Sequence, residues 1–178
     1  MRVITGTARG RKLKEPTGMA IRPTTDQVKE AIFNICQFDV EGRRVLDLFG
    51  GTGQLGIEAK SRGAAEVVVV DQSREAVALI RENVRRAGLE LTVRQADALS
   101  FLSGCGRFDL VFLDPPYDSD LVKNARDRIK TFDILSKGGI IICETRTETE
   151  LPELEAPYRK VREYRYGRVK LTTYTKET

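Results

Sequence analysis

From Arg44 to Glu144, short apolar runs alternate with stretches whose apolar positions recur at helical spacing. Val45 to Phe49, Glu66 to Asp71, Leu91 to Gln95, Phe108 to Leu113 and Ile140 to Glu144 have the length and apolar content of strands. Between them, Gln54 to Ser61, Arg74 to Ala87 and Leu121 to Phe132 fit helices, and Gly88 offers the second a left-handed cap. Such alternation predicts βαβ units, with right-handed crossovers placing helices on both faces of a parallel sheet. After residue 157, two alternating runs around Gly167, Tyr158 to Tyr166 and Arg168 to Tyr174, predict a terminal antiparallel hairpin.

The amino-terminal part has a different pattern. Residues 1 to 20 read as a short β-hairpin or extended arm, an appendage turning at Ala8-Arg9-Gly10 and leaving through a linker at Pro16 to Gly18. Thr24 and Thr25 then offer helix caps, with Gln27 three residues after Thr24. The apolar positions Val28, Ala31, Ile32 and Ile35 share one face, predicting a helix from about 25 to 37. The chain thus divides into an arm, 1–20, and a single domain, 21–178.

A length of 178 residues, 40% of them hydrophobic and 31% charged, suits one globular domain. No segment is both long and apolar enough to span a bilayer, and Met1 to Gly6 lacks the apolar core of a signal peptide, which places the protein in the cytoplasm. Cys36, Cys105 and Cys143 are odd in number, far apart and without a CxxC pair, so buried thiols are expected rather than disulfides or a metal site. With no histidine, Ser-His-Asp and Cys-His hydrolases are excluded. The net charge of +4 is uneven. Arg2, Arg9, Arg11, Lys12 and Lys14 meet no acid within residues 1–14, while Arg159, Lys160, Arg162, Arg165, Arg168 and Lys170 are opposed only by Glu163. If both ends share a face, that face attracts phosphates. The alternative is solvated charge that protects edge strands.

Candidate chemistry sits where the strands end. Gly51-Thr52-Gly53-Gln54-Leu55-Gly56 follows the first strand and opens a helix, letting backbone approach a ligand closely. Asp71 ends the second strand about twenty residues later, where a carboxylate can hold both ribose hydroxyls of an adenosine. Asp47, among apolar neighbours, needs a partner if buried: either loop amides or the positive end of a cofactor. Asp97 is placed for an adenine amino group, and equally for capping a helix through Phe101. Phe49, Gln72 and Ala98 complete the candidate cofactor set.

Asp114-Pro115-Pro116-Tyr117 follows the fourth strand, at the carboxyl edge beside the topological switch point. An exocyclic amine on a nucleobase is a poor nucleophile because its lone pair is delocalised into the ring. Asp114 and the Pro115 carbonyl can accept its two N–H bonds, aim the lone pair and stabilise developing positive charge. Proline adds rigidity and no competing donor, and Tyr117 can stack on the base. No Pro-Cys dipeptide is present for a covalent attack on pyrimidine carbon-5, so nitrogen is the implied target.

Taken together, these motifs resemble the RsmD-type methyltransferases, which modify the N2 of a guanine in bacterial small-subunit ribosomal RNA. The likeness runs through Arg2-Val3-Ile4, Gly10-Arg11-Lys12-Leu13, Arg22-Pro23-Thr24-Thr25-Asp26, Lys29 to Phe33, Asp47 to Gly53, Leu55 to Ala59, Asp97-Ala98 and Asp114 to Tyr117. Gly50 stands where alanine is usual, Gln54 where a small residue is usual and Asp71 where glutamate is common. The resemblance implies a Rossmann-like class I methyltransferase fold, a seven-stranded and mostly parallel sheet, with S-adenosylmethionine as cofactor. It also implies ribosomal RNA as partner, within a small-subunit assembly particle, with Arg2, Arg9, Arg11, Lys12 and Arg22 as candidate RNA contacts. Three other enzyme readings use part of the pattern: a protein glutamine methyltransferase, whose loop reads Asn-Pro-Pro-Tyr; a DNA adenine methyltransferase, which needs a recognition domain; and an NAD oxidoreductase, which leaves the Asp-Pro-Pro-Tyr loop unused. A non-catalytic RNA-binding module would have no need of an intact Gly51, Gly53, Asp71 and Asp114.

Overall fold

The computed structural model describes residues 1–18, 21, 23–116 and 120–178. Along the chain lie α1 (Asp26–Ile35), β1 (Arg44–Asp47), α2 (Gln54–Ser61), β2 (Glu66–Asp71), α3 (Arg74–Ala87) and β3 (Thr92–Gln95). There follow α4 (Ala98–Phe101), β4 (Phe108–Leu113), α5 (Leu121–Thr131), β5 (Leu135–Arg146), β6 (Tyr158–Tyr166) and β7 (Val169–Lys176). The strands form one sheet in the order β3-β2-β1-β4-β5-β7-β6. Strands β1 to β5 are mutually parallel where they pair, and β7 joins β5 and β6 antiparallel.

The apolar runs explain why the sheet is covered on both sides. In β2, Val67 and Val69 pack with Val28, Phe33, Leu55, Ala59 and Ile80 of α1, α2 and α3. Val68 and Val70 face the opposite layer, where Val122, Ala125 and Ile129 of α5 lie. A strand buried on both faces needs no polar alternation, hence the unbroken valines. The helix ends follow local rules: Thr25 caps α1 by accepting from the Val28 amide at 3.3 Å, Ser73 caps α3, and Gly88 closes α3 at φ +68°. The capping role expected of either threonine falls to Thr25 alone.

The arm pairs antiparallel with itself through the bridge Arg2–Lys12, with Val3 N donating to the Arg11 carbonyl and Leu13 N to the Met1 carbonyl, each at 2.9 Å, but it is packed on the domain rather than appended to it. Val3, Ala8 and Leu13 are buried against Ile57 and Ala87. The amides of Ile4 and Thr5 donate to Glu58 at 2.8 and 3.0 Å, and Ala8 N donates to Ser61 Oγ at 2.9 Å. Asn83 accepts from Lys14 N and donates to the carbonyls of Lys14 and Thr52, tying arm, α3 and glycine loop together.

The two basic ends do not gather as a single patch. The arm lies over α2 and α3, whereas β6 is the outer strand at the other end of the sheet. Arg159, Arg162 and Arg165 are exposed on that edge, Arg159 pairs with Glu177, and Lys170 is buried within reach of Glu163. Charge on an open edge discourages strand addition by another chain. Cys36 and Cys143 are buried, and burial pushes both thiols up to about 12, while Cys105 is half-buried. Among the described residues, no helix is long and apolar enough to cross a membrane.

Glu58 also faces Lys29 across 3.6 Å, both side chains fully buried, and Lys29 donates to the Arg2 carbonyl at 2.7 Å. Removing one member of a buried pair strands the other, at roughly 3–5 kcal/mol. Glu58→Ala is therefore expected to lower unfolding stability by about that amount and to speed amide exchange at Ile4 and Thr5. Unchanged exchange there would show that the apolar contacts alone hold the arm.

Candidate active site

Strand order reverses between β1 and β4, and a cavity of 860 Å³ opens at their carboxyl ends. Phe49, Gly51, Asp71, Gln72, Asp97, Ala98, Asp114 and Pro115 all line it. Asp47 and Gly53 do not. Of the expected set, these two are buried and outside the cavity lining.

The glycines divide their work. Gly51 and Gly53 adopt φ +59° and +83°, the left-handed region where a side chain is strained. A Cβ on Gly51 would meet only Ile21 Cγ2, at 3.7 Å, so its backbone is bare towards the cavity. Gly50 and Gly56 instead allow loop and helix to lie against β2: a Cβ on either would come within 2.5 Å of Val69. As this chain packs, close contact with Val69, more than ligand approach, accounts for glycine at 50 and 56.

Four strands deliver carboxylates to this edge. Asp71, ending β2, accepts from the Gly51 amide at 3.0 Å and the Ser73 amide at 2.9 Å. Asp97 caps α4 by accepting from Ser100 N at 2.9 Å, which holds its pKa below the usual carboxylate range, and it lines the cavity as well. The capping reading of Asp97 is observed, and its place in the cavity wall leaves it accessible to a ligand. Asp47, ending β1, is 1% exposed; Oδ2 accepts from Gly56 N at 3.2 Å, while Oδ1 is buried with no partner among the described residues. Burial raises its pKa to about 7, against the Gly56 hydrogen bond and with a smaller contribution from Asp71. Asp114, half-buried after β4, is pushed well above the ordinary range by burial and then by Glu144, whose side chain hydrogen-bonds to it.

Three residues of the site were not singled out as functional from the sequence. Glu144, near the end of β5, lines the cavity beside Asp114. It offered a signal, being an acid at the end of a predicted strand like Asp47 and Asp71. Thr24 Oγ1 donates to Asp114 Oδ2 at 3.1 Å, and Gln54 donates to the Thr24 carbonyl at 2.9 Å. Both contacts span long stretches of chain and left no local pattern. Tyr117 and Arg22 lie outside the described residues. Arg2, Arg9, Arg11 and Lys12 are exposed on the arm and do not line the cavity, whereas Arg168 does.

The walls thus present acceptors. Asp71, Asp97, Asp114 and Glu144 line them, Asp47 lies behind the loop, and among the described residues no lysine lines the cavity. A ligand bearing hydroxyl or amine donors and positive charge fits such a site; among the described residues, an anion would meet positive charge only near Arg146 and Arg168.

The fold is that of the class I, Rossmann-like methyltransferases. Residues 1–175 match the family described as conserved hypothetical protein 95, and the chain belongs to that family, as its resemblance to the RsmD-type proteins implied. It is 39% identical over 184 residues to "Putative rRNA methyltransferase YlbH" of Bacillus subtilis, covering 99% of each chain. It is 33% identical to "Ribosomal RNA small subunit methyltransferase D" of Escherichia coli, covering 99% of this chain and 90% of that one. The solved structure of "Putative methyltransferase yhhF" from Escherichia coli superposes with a TM-score of 0.88 at 33% identity, over 99% of this chain and 98% of that one.

Asp47 gives the site a pH dependence. A carboxyl whose folded pKa is raised to about 7 stabilises the fold fully below its unfolded pKa and loses that contribution as pH rises through 7. Asp47→Asn keeps an acceptor for Gly56 N and removes the buried charge. Denaturant titrations of the unliganded protein should show the variant stabilised by a few kcal/mol above pH 7, with the gain vanishing in acid. Equal stability at high pH would mean that Asp47 does not ionise at a cost.

Proposed function

We propose that this protein transfers a methyl group from S-adenosylmethionine to the exocyclic N2 of a guanine in bacterial small-subunit ribosomal RNA. The observation that carries the reading is Asp114. A half-buried carboxylate at the end of β4, followed by the donor-free Pro115, opens into the same cavity as Gly51 and Asp71. The names of the Bacillus and Escherichia relatives support RNA as the substrate class, and the family resemblance supports guanine N2.

The residues present fit the cofactor. Asp71 is placed for ribose hydroxyls and Asp97 for an adenine amine. The partnerless Oδ1 of Asp47 supplies negative potential under the floor. When bound, S-adenosylmethionine supplies a methyl on a positively charged sulfur, the charge this wall of acceptors favours. Asp114 and the Pro115 carbonyl accept the two N–H bonds of the substrate amine and draw its lone pair out of conjugation, so they bind the attacking geometry more tightly than the planar ground state. Thr24 holds the Asp114 carboxylate by donating to Oδ2, leaving Oδ1 for the amine or for Glu144. Tyr117 is assigned the stacking face for the base. The arm, 1–20, is assigned to the RNA backbone.

The decisive experiment incubates the protein with labelled S-adenosylmethionine and small subunits from cells lacking it, then identifies the modified nucleoside by mass spectrometry. Asp114→Ala should abolish transfer and leave S-adenosylmethionine binding intact; retained turnover rejects the assignment. Because Asp114 accepts best when ionised, activity should rise with pH through its elevated pKa. Glu144→Gln removes the neighbouring acid and should move that limb to lower pH.

RNA binding through the arm predicts a second outcome. Neutralising Arg9 and Arg11 together should weaken RNA binding and reduce the dependence of log K on log salt by about two, one for each lost phosphate contact. An unchanged slope would move the RNA-binding surface elsewhere.

A further inference from the structure

Gln54 is the first residue of α2, 2% exposed, and it lines the cavity. Its Nε2 donates to the Thr24 carbonyl at 2.9 Å. A carbonyl can only accept, so this contact fixes which end of the carboxamide is nitrogen and which is oxygen. Oε1 is then left buried with no hydrogen-bond partner among the described residues. A buried amide oxygen without a donor is costly, so an orphan of this kind in a cavity wall marks a place for a ligand's N–H or O–H.

Two observations say which donor. In the sheet order, Asp71 and Asp97 follow β2 and β3, the half of the edge assigned above to ribose and adenine. Gln54 instead follows β1 and touches Thr24, whose hydroxyl reaches Asp114 after β4. It therefore borders the part of the cavity between those two carboxylates and Asp114, where the aminoacyl end of a cofactor bound as assigned above would lie. The surrounding carboxylates favour the cationic donor there, the primary ammonium.

Resting on the cofactor reading above, we infer that Gln54 is a positioning residue: its free carboxamide oxygen takes an N–H of the cofactor's ammonium, and its nitrogen, through Thr24, sets the Asp114 carboxylate for the substrate amine. A carboxamide pinned at both ends by ligand and carbonyl holds Thr24 more firmly than one pinned at a single end. Thr24 receives that constraint on its carbonyl and passes it on through Oγ1, 3.1 Å from Asp114 Oδ2. Cofactor occupancy and catalytic geometry are thereby joined through one residue.

Gln54→Met keeps the side-chain length and removes both polar atoms. Calorimetric titration of wild type and variant with S-adenosylhomocysteine, which retains the ammonium, and with 5′-methylthioadenosine, which lacks the aminoacyl end, tests the binding half. The variant should lose roughly tenfold in affinity for the first, the weight of one hydrogen bond to a charged group, and keep its affinity for the second. Equal loss for both ligands, or loss for neither, overturns the inference while the cofactor reading stands. A wild type that binds neither ligand overturns the cofactor reading itself.

The positioning half is read from the pH profile of methyl transfer at saturating cofactor. The Thr24 hydrogen bond lowers the Asp114 pKa, so Gln54→Met and Thr24→Val should both shift the acid limb to higher pH, and Thr24→Ser should restore it. A limb that stays in place in Gln54→Met overturns the relay.

Discussion

Parallel strands all end on the same edge, and this sheet gathers negative charge there. Asp47 and Asp71 end β1 and β2, Asp114 follows β4, and Glu144 lies near the end of β5. Like charges in a partly dry cleft repel and are poorly solvated, so the edge tolerates them only by supplying donors or by retaining protons. Loop amides supply part of the compensation: Gly51 and Ser73 donate to Asp71, Gly56 to Asp47, and the Thr24 hydroxyl to Asp114. The remainder appears as upward pressure on Asp47 and Asp114. A positively charged ligand at this edge would relieve that pressure, which is why the cavity suits a cation better than an anion.

The donors stay aimed because the loop that bears them is clamped from several sides. Gly50 and Gly56 let the loop and the start of α2 lie directly on β2, where a Cβ at either position would crowd Val69. Asn83 holds the Thr52 carbonyl from α3, and the same side chain holds Lys14 of the arm. The arm is anchored in turn by Glu58, which receives two of its amides and faces the buried Lys29 of α1. The residues expected to meet RNA are thus carried on a segment fastened to the glycine loop and to the helix after Thr24.

Much of the fold was legible in the chain because its causes are local. The limits of β2, β4, α2 and α3 follow from apolar runs, helical spacing, the Ser73 cap and Gly88. The arm's turn and pairing are local too, but its packing is not: the amides of Ile4, Thr5 and Ala8 are satisfied by Glu58 and Ser61, more than fifty residues away. Two basic segments could be read as one patch until the strand order put β6 at the edge remote from the arm.

For the site, residue order already names the chemical groups: an acid ending each of two strands, a glycine loop between them, and Asp114-Pro115 after a third. A strand's end and a loop's glycines are visible in single short windows, so residue type and spacing sufficed. Which of these groups meet depends on how the strands pack. That packing placed Asp47 and Gly53 outside the cavity lining, paired Glu144 with Asp114, and turned Thr24 from a candidate cap into a donor ninety residues away. Those contacts depend on strand order and on the register of β1, β4 and β5. Both are set by burying two apolar faces at once, a property of the whole sheet that no short stretch of the chain carries.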